Sequence, residues 1–280
     1  MKRLSGLLLL TILFVLAGCT GTDQYSIEKK YWKARKLKDM IVAQPEDYTA
    51  TDLEKAVLTL KDFIQEYPAT TFAIESKLDI ATLYMVKSEY EKARDQLREI
   101  VDDPASSQLL CSEALFLIGN SYQVEGKWEM ALAEYQKIKQ DYPQTSRGLD
   151  MPIYIARYYK STSQPKKMTS AYREAIEFYT QLSQEYPNTQ LGFYVSRLAG
   201  RCHMELKDWA KALGVFQNII DTYSGKIDLD DILMNIAIIY AHELKDIEKA
   251  SLALEQLVKD YPKSRLIKPA EFMLREWKRR

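Results

Sequence analysis

Six alanines, Ala56, Ala93, Ala131, Ala175, Ala212 and Ala250, recur at intervals of 37, 38, 44, 37 and 38 residues. Four positions after each stands a large apolar or aromatic residue: Leu60, Leu97, Tyr135, Tyr179, Phe216 and Leu254. Three further on come Phe63, Ile100, Ile138, Leu182, Ile219 and Leu257. Offsets of four and then three bring all three side chains to one face of a helix. Each helix is then stopped, at Tyr67-Pro68, Asp103-Pro104, Tyr142-Pro143, Tyr186-Pro187 and Tyr261-Pro262, or at Tyr223-Ser224-Gly225. Proline clashes with the preceding turn and lacks the N–H donor, whereas glycine accepts the left-handed cap. With ten glycines and nine prolines in 280 residues, the rest of the chain has room for long helices rather than many short strands.

Upstream of each alanine, from the second unit on, a second helix carries a small residue followed three later by a ring. The pairs are Ala81 and Tyr84, Gly119 and Tyr122, Ala156 and Tyr159, Gly200 and His203, Ala237 and Tyr240. Short polar turns such as Glu125-Gly126-Lys127-Trp128 and Leu206-Lys207-Asp208-Trp209 join the two helices. Small residues at the crossings let paired helices approach closely while rings fill the groove between them. This pattern resembles the tetratricopeptide repeat. It implies an all-α, right-handed superhelical solenoid of about six helix pairs over residues 27–268, closed by a capping helix over 269–280. The first unit is irregular, as a terminal repeat with one neighbour can be. Thr51-Asp52-Leu53-Glu54 has capping-box spacing and predicts the start of its second helix. The fourth unit is longer, with residues 160–167 between its helices. Both an extended contact loop and longer helices account for that length.

The amino terminus is an address rather than part of the fold. Lys2 and Arg3 precede Leu7 to Ala17, an eleven-residue run whose only polar member is Thr11. A helix needs about 20 apolar residues to cross a bilayer, so the run fits a signal peptide over residues 1–18. Leu16-Ala17-Gly18-Cys19 resembles a bacterial lipobox, which implies acylation of Cys19 and a short linker over 19–26. Buried methylenes contribute roughly 0.8 kcal/mol each, so two or more acyl chains make a lasting tether. Thr20, rather than aspartate, follows the cysteine. That implies placement in the outer membrane, facing the periplasm.

Candidate chemistry is sparse. The balance of 39 basic and 39 acidic residues lacks the cationic footprint of a nucleic-acid binder. His203 falls in the ring slot of a repeat, and His242 has no cysteine, serine or second histidine at a useful spacing. Cys111 and Cys202 lie two repeats apart, beyond the ~7 Å Cα separation a disulfide allows. Asp228, Asp230 and Asp231 lack the alternation and glycine of a calcium loop and suit a helix start. No enzyme, cofactor or metal is expected.

In tetratricopeptide proteins certain positions of each first helix face a concave groove. The resemblance assigns Glu113, Phe116, Asn120 and Gln123, then Asp150, Ile153, Arg157 and Lys160, then Tyr194, Arg197, Arg201 and Met204 to it. Asn120, Gln123, Arg157, Lys160, Tyr194, Arg197 and Arg201 are the candidate partner-binding residues. Guanidinium forks suit carboxylates, which implies an acidic segment or a C-terminus of a protein as guest. The alternative is a solvated groove whose charges are paired internally.

The lipobox, the segment Phe63-Ile64-Gln65-Glu66-Tyr67-Pro68 and the segment Glu185-Tyr186-Pro187-Asn188-Thr189-Gln190 together resemble outer-membrane assembly lipoproteins of the BamD (YfiO) type. Those proteins have about five repeats, one fewer than is countable here. The resemblance implies an accessory to outer-membrane protein assembly with β-barrel assembly components as partners. An adaptor for cell-wall remodelling, division or an export machine fits the same residues.

Overall fold

A computed structural model describes residues 21–278; the signal segment, Cys19 and Thr20 lie outside them. The chain divides into two compact units, one up to Ser106 and the other from Ser107 onward. The described residues form helices and turns, with no strand among them.

The first unit holds α1 (Gly21–Ala43), α2 (Ala50–Glu66), α3 (Thr71–Val86) and α4 (Tyr90–Asp102). Residues 21–26, expected as linker, are the first turns of α1. Helix α2 begins two residues before its expected start. Thr49 is the N-cap, its side chain accepting from Asp52 N–H while Asp52 accepts from Thr49 N–H. This is the capping box, with aspartate as the reciprocal residue. Helix α1 packs on α2 and α3 through Tyr31, Ala34 and Ile41. A buried polar cluster adds to that contact. Asp79 of α3 accepts from Lys38 Nζ at 2.7 Å and from Tyr31 OH at 3.1 Å, with Arg35 Nε 3.5 Å away.

The second unit holds α5 (Gln108–Val124), α6 (Trp128–Asp141), α7 (Ser146–Ser161), α8 (Pro165–Glu185), α9 (Gln190–Glu205), α10 (Trp209–Tyr223), α11 (Asp230–Ile238), α12 (Ile247–Asp260) and α13 (Ile267–Lys278). Consecutive helices pair, so the described chain contains six helix pairs followed by the closing helix α13. The expected all-α helix-pair repeat is therefore what forms. The extra length of the fourth unit lies in α8, which runs for 21 residues. The turn before it is only Thr162 to Gln164, so the alternative of a contact loop over 160–167 is replaced by added helical turns.

The repeat positions explain the pairing. All six alanines are fully buried, and so are Leu60, Leu97, Tyr135, Tyr179, Phe216 and Leu254. A Cβ on Gly119 would lie 2.4 Å from Tyr135 Cε1, and one on Gly200 would lie 2.4 Å from Phe216 Cε1. Glycine is thus required at these two crossings, whereas alanine serves in the pairs that contain Leu97, Tyr179 and Leu254. Complete burial of such a side chain contributes ~1.5–3 kcal/mol, provided a hydroxyl on it keeps a partner. Tyr179 OH donates to the Leu149 carbonyl at 2.6 Å, and Tyr135 OH donates to Gln123 Oε1 at 3.1 Å.

The connections are also repetitive. After Tyr67-Pro68, Tyr142-Pro143 and Tyr186-Pro187, a threonine hydroxyl donates back to the tyrosine carbonyl at 2.8–2.9 Å. The same oxygen accepts the N–H three residues on, capping α3, α7 and α9. One residue thereby closes one helix and opens the next. Within the last five pairs, the turns need a left-handed residue, met by Gly126 at φ 75° but elsewhere by Ser88, Ser163, Lys207 and Lys245.

Candidate functional site

The second unit carries a groove lined by its first helices. Helix α7 turns Ile153, Arg157 and Lys160 to one side, a spacing of four and then three. Helix α9 adds Arg201 and Glu205, and the end of α11 adds Asn235 and Ile238. A cavity of about 520 Å³ lies among these residues, with Tyr172, Cys202, Lys207, Trp209, Ile239 and Glu243 completing its wall. Towards α5, a second cavity of about 290 Å³ is lined by Phe116, Arg147, Asp150, Tyr154 and Tyr194. Ile153, Arg157 and Arg201 border both cavities. Five basic residues (Arg147, Arg157, Lys160, Arg201, Lys207) face three acidic ones (Asp150, Glu205, Glu243), an excess of two positive charges.

The expected partner-binding residues take different roles. Arg157 and Arg201 are exposed and form no ion pair among the described residues. Lys160 pairs with Glu205 at 2.6 Å, but both are open to water, where such a pair contributes little. Arg197 is held by Asp231 at 2.7 Å and lies over the Tyr194 ring at 5.4 Å, so its charge is already met. Gln123 is also engaged, its Oε1 accepting from Tyr135 OH and Tyr154 OH. Asn120 is half-buried and borders neither cavity. Internal pairing, the alternative weighed for this strip, therefore holds at Arg197 and not at Arg157 or Arg201.

Arg147, Ile239 and Glu243 escaped the sequence as groove residues. Glu113 is bound by Arg147 through two bonds of 2.6 and 2.8 Å, and the guanidinium lies 3.7 Å from the Phe116 ring centroid. This pair and Arg197–Asp231 each join residues 34 positions apart. A search for opposite charges a few residues short of one repeat apart would have found both. Asp231 is thereby accounted for, and Asp230 accepts from Ser264 Oγ at 2.5 Å. The aspartates stand at a helix start as expected: Asp230 and Asp231 open α11, and Asp230 Oδ1 accepts the Asp231 N–H at 3.0 Å, while the N-cap position itself is Leu229, without a side-chain bond. Ile239 and Glu243 reach the cavity from a five-residue π-helix (Ile239–Glu243), which also holds His242. A wider turn of this kind re-aims side chains and is common at functional sites.

The wall of the cavity contains no activated nucleophile. Burial pushes the Cys202 thiol up to about 12 and the Tyr172 phenol also up to about 12, so both stay protonated at neutral pH. His203 is buried in its repeat slot, and desolvation lowers its pKa. Cys111 is buried as well, and neither cysteine is in a disulfide. No three His, Cys, Asp or Glu side chains converge on a metal position among the described residues. No described helix is long and apolar enough to cross a membrane.

Paired helices with small residues at their crossings, and a groove along the first helices, make an all-α fold of repeated, tetratricopeptide-like helix pairs. Residues 113–145, from α5 to the turn after α6, match the family model described as tetratricopeptide repeat. Residues 165–279 match the model described as coatomer epsilon subunit. No curated protein sequence matches the chain. Among solved structures, BtubC (BKLC) from P. vanneervenii is 15% identical, covering 84% of this chain and 89% of its own, with a TM-score of 0.44. YrrB, described as a TPR protein with an unusual peptide-binding site, is 18% identical, covering 76% and 97%, with a TM-score of 0.39. PilF of Pseudomonas aeruginosa is 13% identical, covering 90% and 98%, also with a TM-score of 0.39.

Proposed function

We propose that this protein is a lipid-anchored scaffold of the bacterial envelope, whose groove in the second unit takes an acidic segment or the C-terminal carboxylate of a protein partner. The observation that carries the reading is the contrast among the groove arginines. Arg147 and Arg197 are held by Glu113 and Asp231, whereas Arg157 and Arg201 border both cavities with no carboxylate on them. Two guanidinium groups with free donors beside Ile153 and Trp209 offer charge-assisted hydrogen bonds next to apolar contact. The lipobox at Cys19 supports a tether at the outer membrane, and the resemblance to BamD-type lipoproteins supports an accessory role in outer-membrane protein assembly.

Affinity capture from envelope extracts, with wild type and Arg157→Glu/Arg201→Glu side by side, tests the role. Barrel-assembly components lost in the double variant are the expected result. Peptidoglycan enzymes or export components in their place would support the adaptor reading instead. Capture unaltered by the double substitution overturns the groove assignment. The tether is tested separately, since Cys19→Ser should release the chain from the membrane fraction.

A further inference from the structure

The outward side of α1 carries a second surface, separate from the groove. The helix turns Tyr31, Ala34, Lys38 and Ile41 inward. At 3.6 residues per turn the opposite side presents Tyr25, Lys29, Trp32, Lys33, Lys36 and Met40. All six are exposed, with Tyr25 at 73% and Trp32 at 50%. Lys29, Lys33 and Lys36 form no ion pair among the described residues. Two carboxylates flank this side, and neither pairs with its lysines. Glu28 accepts from Trp32 Nε1 at 3.2 Å, and Asp39 is held by Arg35 at 3.2 Å and by Lys38 at 2.8 Å. What remains is a strip of three cations interleaved with two amphipathic rings and a thioether.

That combination matches the water–lipid boundary. Tryptophan and tyrosine settle at headgroup level with the ring in the apolar layer and the polar edge in water. Lysine lays its stem along apolar surface and extends its ammonium to phosphate. Anionic leaflets attract such clusters within a Debye length. Placement along the chain agrees, because α1 begins two residues after Cys19. Two residues span about 7 Å at most, so an acylated Cys19 would keep the first turn of α1 within the headgroup layer.

We propose that this side of α1 lies on an anionic phospholipid surface, with Tyr25 and Trp32 at the interface and Lys29, Lys33 and Lys36 on lipid phosphates. The acyl tether of the proposed function supplies the proximity, and the helix face supplies the orientation of the first unit on the bilayer. The affinity of the face for lipid does not depend on the tether, which makes the two separable.

The test uses a chain starting at Thr20, which lacks Cys19 but keeps every buried residue from Tyr31 to Ala270. It is sedimented with vesicles of phosphatidylethanolamine and phosphatidylglycerol, and with vesicles of phosphatidylcholine alone. Binding to the anionic vesicles, weakened by salt, is the expected result. Each lysine near the surface accounts for about fivefold in affinity, so Lys29→Gln/Lys33→Gln/Lys36→Gln should bind about a hundredfold more weakly. Trp32→Ser should also weaken binding, and both variants should keep the wild-type circular dichroism and melting temperature. Equal binding to both vesicle types, or wild-type binding by the triple variant, would overturn the proposal. Failure of the tether reading shows up elsewhere, as an unacylated Cys19 in the mass of the full-length protein extracted from membranes.

Discussion

Gly119→Ala tests the idea that small residues set how closely the paired helices approach. The added methyl would sit 2.4 Å from Tyr135 Cε1 and 2.8 Å from Cδ1. Apolar carbons rest at about 3.5–4.0 Å, so the overlap is about 1 Å. Tyr135 has little room to swing away. Its hydroxyl is bonded to Gln123, and its ring centroid lies 5.2 Å from Tyr154 and 6.0 Å from both Trp128 and Phe116. Overpacking of this kind costs ~1–3 kcal/mol, while alanine returns about 1 kcal/mol of helix propensity. Gly214→Ala in α10 is the internal control, because its methyl would meet nothing within 4 Å and keeps only the propensity gain. Thermal unfolding followed by circular dichroism should place Gly119→Ala below Gly214→Ala by on the order of 5 °C. Adding Tyr135→Leu, which reproduces the alanine–leucine pairing of Ala81 and Leu97, should narrow that gap. Equal melting temperatures for the two alanine variants would refute the close crossing.

Two further predictions concern buried polar groups. In the first unit, Asp79→Asn leaves the Lys38 ammonium beneath α1 with only the more exposed Asp39 carboxylate and should cost up to about 3 kcal/mol by urea unfolding, whereas Lys38→Met/Asp79→Leu should cost less than that single change. A double variant worse than the single one would mean the ion pair is strongly favourable on balance. In the second unit, burial depresses the His203 pKa below its ordinary 6.5. The unfolded chain then takes up the proton first, so stability is complete above about 6.5 and is lost as pH falls from there towards the folded pKa. His203→Phe should flatten that part of the stability–pH curve, and an unchanged slope would show that the imidazole is not the group titrating.

The repeat was legible because its positions are dictated by contact between helices. Every alanine of the series is fully buried, and the helix stops at Tyr-Pro fall where expected. Local alternatives were harder to separate. Thr49 and Thr51 are both followed three residues later by a carboxylate, and only packing of Leu53 and Ala56 decides which one caps α2. The added residues of the fourth unit lengthen α8 because they include Ala171, one turn before Ala175, and Tyr172, one heptad before Tyr179, both of which are buried. The groove was legible as a set of positions but not as a set of available charges. Gln123 and Arg197 are engaged by Tyr135, Tyr154 and Asp231, partners supplied by other helices. The π-helix at Ile239–Glu243 has no composition that marks it, so the approach of Glu243 to the cavity could not be foreseen.

The most direct measurement of the central claim is fluorescence anisotropy with a pair of labelled acidic peptides, one with a free C-terminal carboxylate and one amidated. The unpaired Arg157 and Arg201 should favour the free carboxylate, with affinity that falls as salt rises and is lost in Arg157→Glu/Arg201→Glu. Arg197→Gln, at an arginine already held by Asp231, should change it far less. Binding that ignores the carboxylate, or that survives the double charge reversal, would contradict the account.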